Sequence, residues 1–430
     1  MFRRTACTVV PVWSLLKRNR DYRLILVAQV VSFAGDWFAT VAFAGLVLDR
    51  TNNDLLATMV FVASALPAFL MTPIAGPVAD RFDRKRIMVV CSLLQSSAAL
   101  CFLLAQHNWI GFGFVAQGLI TAIGAFFSPA SQAAIANIVA PEDLATAMAA
   151  SSSVWGAMLA IGSGLGALVA SHFGRTTAFV LDAASFVVAG LLITSVRGRT
   201  SQRASDASRP RMHPISDTKE ALRYARGNRY VSAFFLSKAG FGLGTGVVGL
   251  LSVLAKRRFH AGDGGTGLLL AARGTGVLMG PWFVKAAFRR GLPGVVTTCG
   301  VGALAYGLGY LVVGSAGSIV VAAIAAFIAH LGGGAQWASV LFGLAKSTTD
   351  DVRGRIAAAD FAIVTLSMSL SLLVAGLASR WWGPRATVTG LALVQLLWGA
   401  FFLWRTQALR SAAPTDAVAT SSPSAVGSSV

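Results

Sequence analysis

Residues 76–88 read GPVADRFDRKRIM, from Gly76 to Met88. The stretch stands between two long apolar runs, Leu55–Ala79 and Ile87–Ala105. Within it Asp80 is followed by Arg81, Asp83, Arg84, Lys85 and Arg86. Two membrane-length apolar segments joined by a tight basic loop read as a helix hairpin with its turn on the cytoplasmic side. An ordinary positive-inside loop is the plainer reading of those bases, and the rest of the chain decides against stopping there.

Hydrophobic residues make up 55% of the 430 positions and charged residues 12%, at a mean hydropathy of +0.68. Such a chain cannot cover a water-facing surface, so one large membrane domain is expected rather than several soluble ones. In a soluble protein the formal charge of +19 would point to nucleic acid. Here the bases cluster in the N-terminal segment, the Asp80 loop, the stretch Arg197–Arg229 and Arg289–Arg290. All of these lie on one side if the chain crosses a membrane after each, so the basicity is a topology signal. No basic face is interleaved with aromatics for base stacking, and no nucleic-acid partner is expected.

Twelve apolar segments follow one another: Leu24–Leu48, Leu55–Ala79, Ile87–Ala105, Ile110–Ile138, Leu144–His172, Thr176–Val196, Tyr230–Ala255, Thr266–Phe288, Gly294–Val313, Ser318–Ala345, Ile356–Ser379 and Ala386–Trp404. Each reaches or approaches the ~20 residues a spanning helix needs. An even number places both termini on one side, and about 27 of the 36 Lys and Arg residues then fall on the cytoplasmic side. Lys256, Arg257 and Arg258 are the discordant outer cluster, read as bases favoured by a helix C-terminus. Trp37, Trp109, Trp155, Trp381 and Trp382 include interface anchors, with burial in the bundle the plainer role for Trp37 and Trp155. The four cysteines show no metal spacing, and no cleavable signal peptide is expected.

The expected organisation is a cytoplasmic N-terminal segment (1–23), a six-helix bundle (24–196), a cytoplasmic linker (197–229), a second six-helix bundle (230–404) and a disordered cytoplasmic tail (405–430). The linker begins Ser-, Arg- and Pro-rich and ends in a short amphipathic helix capped by Asp217, with Glu220 three residues on. The two bundles repeat at an offset of about 209 residues. Asn19–Arg20 corresponds to Asn228–Arg229, Gly35 to Gly244, and Gly124 to Gly333. The Asp80 loop has a decayed counterpart, Gly280–Pro281 followed by Lys285, Arg289 and Arg290, with Val284 where the acid should be.

The Asp80 loop resembles the signature G-x-L-a-D-r-x-G-r-k-x-x-l of the major facilitator superfamily, found between that family's second and third helices. Gly76, Ala79, Asp80, Arg81, Arg84, Lys85 and Met88 match or nearly match, while Val78 and Asp83 depart from it. The resemblance implies an all-α membrane protein of twelve transmembrane helices in two six-helix pseudo-repeats, with a substrate site near the midplane. Within the superfamily the chain resembles the branch of the enterobactin exporter and macrolide-efflux-like proteins. That resemblance rests on Gly35-Asp36, Phe127-Ser128-Pro129-Ala130, Phe179–Asp182 and Asp351-Val352-Arg353-Gly354-Arg355. The drug-antiporter motif of helix five departs here, as Gly162-Ser163-Gly164-Leu165-Gly166-Ala167 lacks its Pro.

A charge inside a bilayer costs several kcal/mol and needs a reason. Asp36 lies roughly 18 Å along the first helix, near the midplane. There it suits a proton carrier, or else a structural acid paired permanently with a cation or with backbone; the first reading is preferred. Lys238 and Arg273 are each candidates to pair with Asp36 or to hold an anionic substrate group. Asp182 and Asp360 read as acids in a first helical turn, with structural roles. His330 reads as a packing residue, before a Gly332-Gly333-Gly334 kink in helix ten. The resemblance further implies a conformational latch in which Gly76, Asp80, Arg81, Arg84 and Lys85 face the start of helix eleven with Arg353 and Arg355. No Walker loop, zinc signature or nucleophile elbow is present, so neither an enzyme nor ATP drive is expected.

The expectation is a secondary transporter of a bacterial inner (cytoplasmic) membrane, multi-pass with both termini cytoplasmic. It exports a small amphipathic compound such as a siderophore, antibiotic or secondary metabolite against proton entry. No cofactor is expected beyond the proton gradient. The expected partners are the small-molecule substrate, protons and the lipid bilayer, with the chain a monomer. The alternatives are a lipid or metabolite carrier or importer of the same fold, or a transport-inactive receptor or scaffold.

Overall fold

The computed structural model describes residues 12–198, 200 and 214–411, and among these every regular element is helical. Residues 1–11, 199, 201–213 and 412–430 lie outside the described residues. With them lie about half of the expected N-terminal segment, the Ser-, Arg- and Pro-rich part of the linker, and most of the tail.

Ten membrane-length helices follow in order: α1 (Arg20–Thr51), α2 (Asp54–Ala79), α3 (Arg84–His107), α4 (Gly111–Ile138), α5 (Leu144–His172), α6 (Arg175–Thr194), α7 (Arg229–Arg257), α8 (Gly262–Arg289), α9 (Gly291–Ser315) and α10 (Ile319–Ser347). The last apolar stretch, Val352–Arg405, holds 54 residues. At the ordinary helical rise that is about 80 Å, more than twice the hydrocarbon core of a bilayer. It divides at Gly383, whose φ of 78° and ψ of 161° suit only glycine, with Pro384 next. The two parts, α11 (352–382) and α12 (384–405), complete twelve spans. Trp381 and Trp382 flank that turn almost fully exposed, as Trp109 does between α3 and α4. Aromatic side chains in such positions favour the membrane–water boundary.

The connections are built from local hydrogen bonds. Asn53 caps α2 by accepting from the N–H groups of Leu55 and Leu56. Asp83, which stands where the loop signature has glycine, caps α3 by accepting the Arg86 N–H at 2.9 Å. Of the linker, Pro214–Gly227 is helical, so Asp217 lies inside the helix rather than at its cap. The expected tail opens with a further helical turn, Gln407–Arg410.

The described residues form two compact units. The first comprises those up to Leu46 and those from Pro67 to 200; the second comprises Val47–Leu66 and those from 214 onward. The tip of the α1–α2 hairpin, which chain order assigns to the first bundle, thus belongs to the second unit. The core of the first unit gathers Tyr22, Ile25, Met88, Ile135 and Ile193, and that of the second gathers Val231, Phe234, Val296, Val340 and Phe402. Large apolar side chains such as Ile161, Leu191, Leu308 and Leu397 are more than half exposed. Helices apolar on both their inner and outer faces are expected of a chain whose surroundings are lipid.

The repeat is reproduced in the hydrogen bonds. Asn19 Nδ2 donates to the carbonyl of Ile138 at 2.8 Å, and Asn228 Nδ2 donates to that of Ser347 at 3.0 Å. Both partners are separated by the offset that relates the two asparagines. The Gly332–Gly334 run does not kink α10, which continues through it. A Cβ on Gly334 would lie 3.0 Å from the Val277 Cα, and one on Gly276 would lie 3.0 Å from the His330 carbonyl carbon. The glycines let α8 and α10 meet backbone to backbone, as small residues do between membrane helices.

Candidate functional site

Two acids meet within the first unit. Gly35 and Asp36 lie in α1, and Asp182 lies in α6. A Cβ on Gly35 would collide with the Ser185 hydroxyl and stand 2.9 Å from Asp182 Oδ1. Only glycine lets the α6 side chains come this close. Asp182 is fully buried, and among the described residues neither of its carboxylate oxygens has a hydrogen-bond partner. Asp36 is half-buried. Neither acid forms an ion pair among the described residues. Two carboxylates placed together with no cation beside them repel one another when both are charged.

Asp182 corrects its sequence reading. The helix begins at Arg175, so Asp182 lies about two turns inside it, beyond the reach of the helix dipole at the first turn. Asp360 is corrected in the same way, since its helix begins at Asp350. Its partner is Lys238, with Nζ and Oδ2 3.4 Å apart and both side chains buried. The Lys238 ammonium also stands 3.1 Å from the centroid of the Trp337 ring. Lys238 was expected to pair with Asp36 or to hold a substrate anion; the partner it has is Asp360, within the second unit. The same neighbourhood is tied together by Gln336, which donates to the carbonyl and hydroxyl of Ser237.

Arg273 of α8 is buried, one turn before Gly276, whose Cβ position meets the His330 backbone of α10. His330 Nε2 and the Tyr310 hydroxyl are 2.8 Å apart. Its ring also meets Tyr306 edge-on at 5.0 Å, so the packing role expected of His330 is joined to a polar one.

Of the loop residues, Gly76 has open space where a Cβ would stand, and Arg81 is exposed on the last turn of its helix. The side chain of Asp80 lies outside the described residues. Arg84 donates to the carbonyls of Ala133 and Thr200, and Lys85 to that of Val196 at 2.8 Å. These bases brace α3 against the ends of α4 and α6. Arg355 pairs with Glu220 of the Pro214–Gly227 helix, and Arg353 donates to the Thr348 carbonyl at 3.3 Å.

The discordant bases have partners that sequence alone did not indicate. Lys256 pairs with Asp49. Arg257 meets Asp54 at 2.8 Å and donates to the carbonyl and side chain of Asn52. Arg258 donates to the Ala316 carbonyl at 2.8 Å. Asp54 is buried and also accepts from the Ser379 hydroxyl at 2.5 Å. A cleft of about 580 Å³ lined by Arg18, Asn19, Asp21, Glu142, Asp143 and Arg197 lies elsewhere, at the start of α1. Its charges are largely matched internally, by Arg18 with Asp143 at 2.6 Å and by Asp21 with the N–H groups of Arg197 and Gly198. That makes it a brace.

Comparison with known proteins agrees with this architecture. The sequence pattern of the Major Facilitator Superfamily matches residues 25–359. The chain is 27% identical over 278 residues to the uncharacterized MFS-type transporter YkuC of Bacillus subtilis (strain 168), covering 61% of this chain and 64% of YkuC. It is 29% identical over 210 residues to the multidrug efflux pump Tap of Mycobacterium tuberculosis (strain ATCC 25618 / H37Rv), covering 47% of this chain and 50% of Tap. The matched stretches thus span between half and two thirds of these relatives' own length. The fold is similar to the solved structure of a bacterial homologue of the human lysosomal transporter Spinster, with a TM-score of 0.71 at 15% identity over 90% of this chain and 96% of the other.

Proposed function

Since the chain belongs to the Major Facilitator Superfamily, we propose that it exports a small amphipathic compound by alternating access, driven by protons moving inward. The observation that carries this reading is the Asp36–Asp182 pair, two adjacent acids with no cation of their own. In the proposed cycle one acid holds a proton while the cavity faces one side. When the access changes, water and counter-ions reach the pair from the other side and the proton leaves. Proton and substrate cross in opposite half-cycles, so the two fluxes are opposed and linked.

The similarity to Tap supports efflux of a drug-like or secondary-metabolite compound. The enterobactin-exporter and macrolide-efflux branch is part of this reading, resting on the residues quoted for it. So are a bacterial inner membrane with both termini cytoplasmic, a monomer, no cofactor beyond the proton gradient, and Asp80 with Arg353 and Arg355 as conformational residues.

The test is transport in proteoliposomes with an imposed pH gradient. Asp36→Asn and Asp182→Asn are each expected to abolish gradient-driven flux while leaving counterflow exchange of substrate largely intact. A sodium gradient that drives wild-type flux when a pH gradient does not would replace the proton with sodium. Full pH-driven flux in both variants would overturn the reading.

A further inference from the structure

Lys238 and Arg273 are both deeply buried cations of the second unit, and the protein treats them differently. Lys238 has a carboxylate and an indole face. Arg273 is 8% exposed, and among the described residues it has no ion pair, no hydrogen bond and no aromatic face beneath it. Its Nε–H is buried and unmatched. A guanidinium carries five donors and no acceptor, so such a residue asks for an anion.

The groups around it are donors too. The Tyr306 hydroxyl is buried without a partner, and so is His330 Nδ1. When Tyr310 donates its O–H to His330 Nε2, the ring proton resides on Nδ1 and becomes a further free donor. Three unmatched polar groups therefore come from α8, α9 and α10, with the His330 ring against Tyr306, and no carboxylate of the described residues pairs with the guanidinium. By the ordinary helical rise, Arg273 and His330 each lie roughly 17 Å from the start of their helices. Both are thus at mid-membrane depth, fixed by the backbone contact of Gly276 with α10.

Aromatic rings continue from this point. Tyr310 and Tyr306 are 4.9 Å apart, Tyr306 and Phe241 5.8 Å, and Phe241 and Trp337 5.7 Å. We propose that Arg273, Tyr306 and His330 form an anion site that holds the carboxylate, or an equivalent oxyanion, of a ligand whose apolar or aromatic body lies along the Tyr306–Phe241–Trp337 row. The guanidinium fork takes both oxygens of a carboxylate in one plane, and the Tyr306 hydroxyl donates a third bond. This rests on the transport reading and deepens it: the exported compound is acidic.

The probe is benzoate against its neutral isostere benzamide, added at millimolar concentration to the purified full-length chain in detergent, with thermal unfolding as the readout. A ligand that binds the folded state raises the midpoint, its stabilisation growing as RT ln(1 + [L]/Kd). Benzoate is expected to raise the wild-type midpoint by at least about 2 °C and benzamide not at all. Arg273→Gln is expected to remove the shift and Tyr306→Phe to halve it or more. Equal shifts from acid and amide, or no shift from either, would overturn the site. So would a benzoate shift that survives Arg273→Gln. Where Arg273→Gln does not fold, Arg273→Lys and Tyr306→Phe decide, and an undiminished shift in both overturns the proposal. No gradient is present in this measurement, so its result stands apart from that of proton coupling by Asp36 and Asp182.

Discussion

Lys238 Nζ and Asp360 Oδ2 lie 3.4 Å apart with both side chains almost wholly out of contact with the surroundings. Removing one partner leaves the other charge bare, so Lys238→Met is expected to cost on the order of 3–5 kcal/mol. The double variant Lys238→Met, Asp360→Leu should recover most of that loss, because neither charge then remains. Thermal midpoints of the two single variants and the double give the coupling directly. Strictly additive losses would show that the pair does not act as a unit.

Gly35 separates position from chemistry at the acid pair. A methyl group there collides with Ser185 while both carboxylates remain. Gly35→Ala is therefore expected to lower gradient-driven flux by at least about ten-fold, through displacement of α6 from α1. Adding Ser185→Gly removes the nearest colliding atoms, leaving Asp182 Oδ1, and should restore part of the flux. Wild-type flux in Gly35→Ala would mean that the spacing of the two acids is unimportant.

Arg257 holds a buried acid at the hairpin tip. Arg257→Gln leaves Asp54 with the Ser379 hydroxyl as its remaining contact of those described above. Arg257 is itself about one third exposed. The expected loss is thus about 1–3 kcal/mol, less than for a fully buried pair. Amide hydrogen exchange over residues 54–63 should speed up selectively, and Arg257→Lys should restore part of the protection. Unchanged exchange in Arg257→Gln would place the strength of the tip in its apolar packing.

Asp80 is expected to bias conformation rather than stability. An acid near a helix start or an arginine contributes on the order of 0.3–2 kcal/mol, comparable to the gap between two states of a transporter. Asp80→Asn should therefore insert and unfold as the wild type does, yet transport several-fold more slowly. A matching loss of thermal midpoint would assign Asp80 to folding instead.

The fold was legible because its signals are long and one-dimensional. Runs of about 20 apolar residues and the Gly76–Met88 loop indicate spans without reference to which way any helix is turned. The offset that pairs Asn19 with Asn228 reappears as two equivalent hydrogen bonds, to Ile138 and Ser347. The site was less legible. Membrane helices are apolar toward lipid and toward the bundle alike, so periodicity does not reveal which way Asp182 or Arg273 points. Asp182 was mistaken for a first-turn acid although the apolar run itself, from Thr176, already places it well inside the helix that starts at Arg175. Lys256, Arg257 and Arg258 broke the charge rule because their partners Asp49, Asp54 and Ala316 are far away in the chain. The glycines of α10 are the usual signature of a kink, yet here they serve backbone contact.

The membership of residues 47–66 in the second unit bears on how the chain is made. Asp54 leaves the ribosome long before Arg257 and Ser379 exist. During synthesis the tip of the first hairpin must wait, its acid unmatched, until five more spans have been inserted. The first half is therefore an unfinished object at the moment its last helix is complete, and a natural target for membrane quality control. If the two halves are produced as separate polypeptides, the first should be degraded when made alone and spared when the second is made beside it.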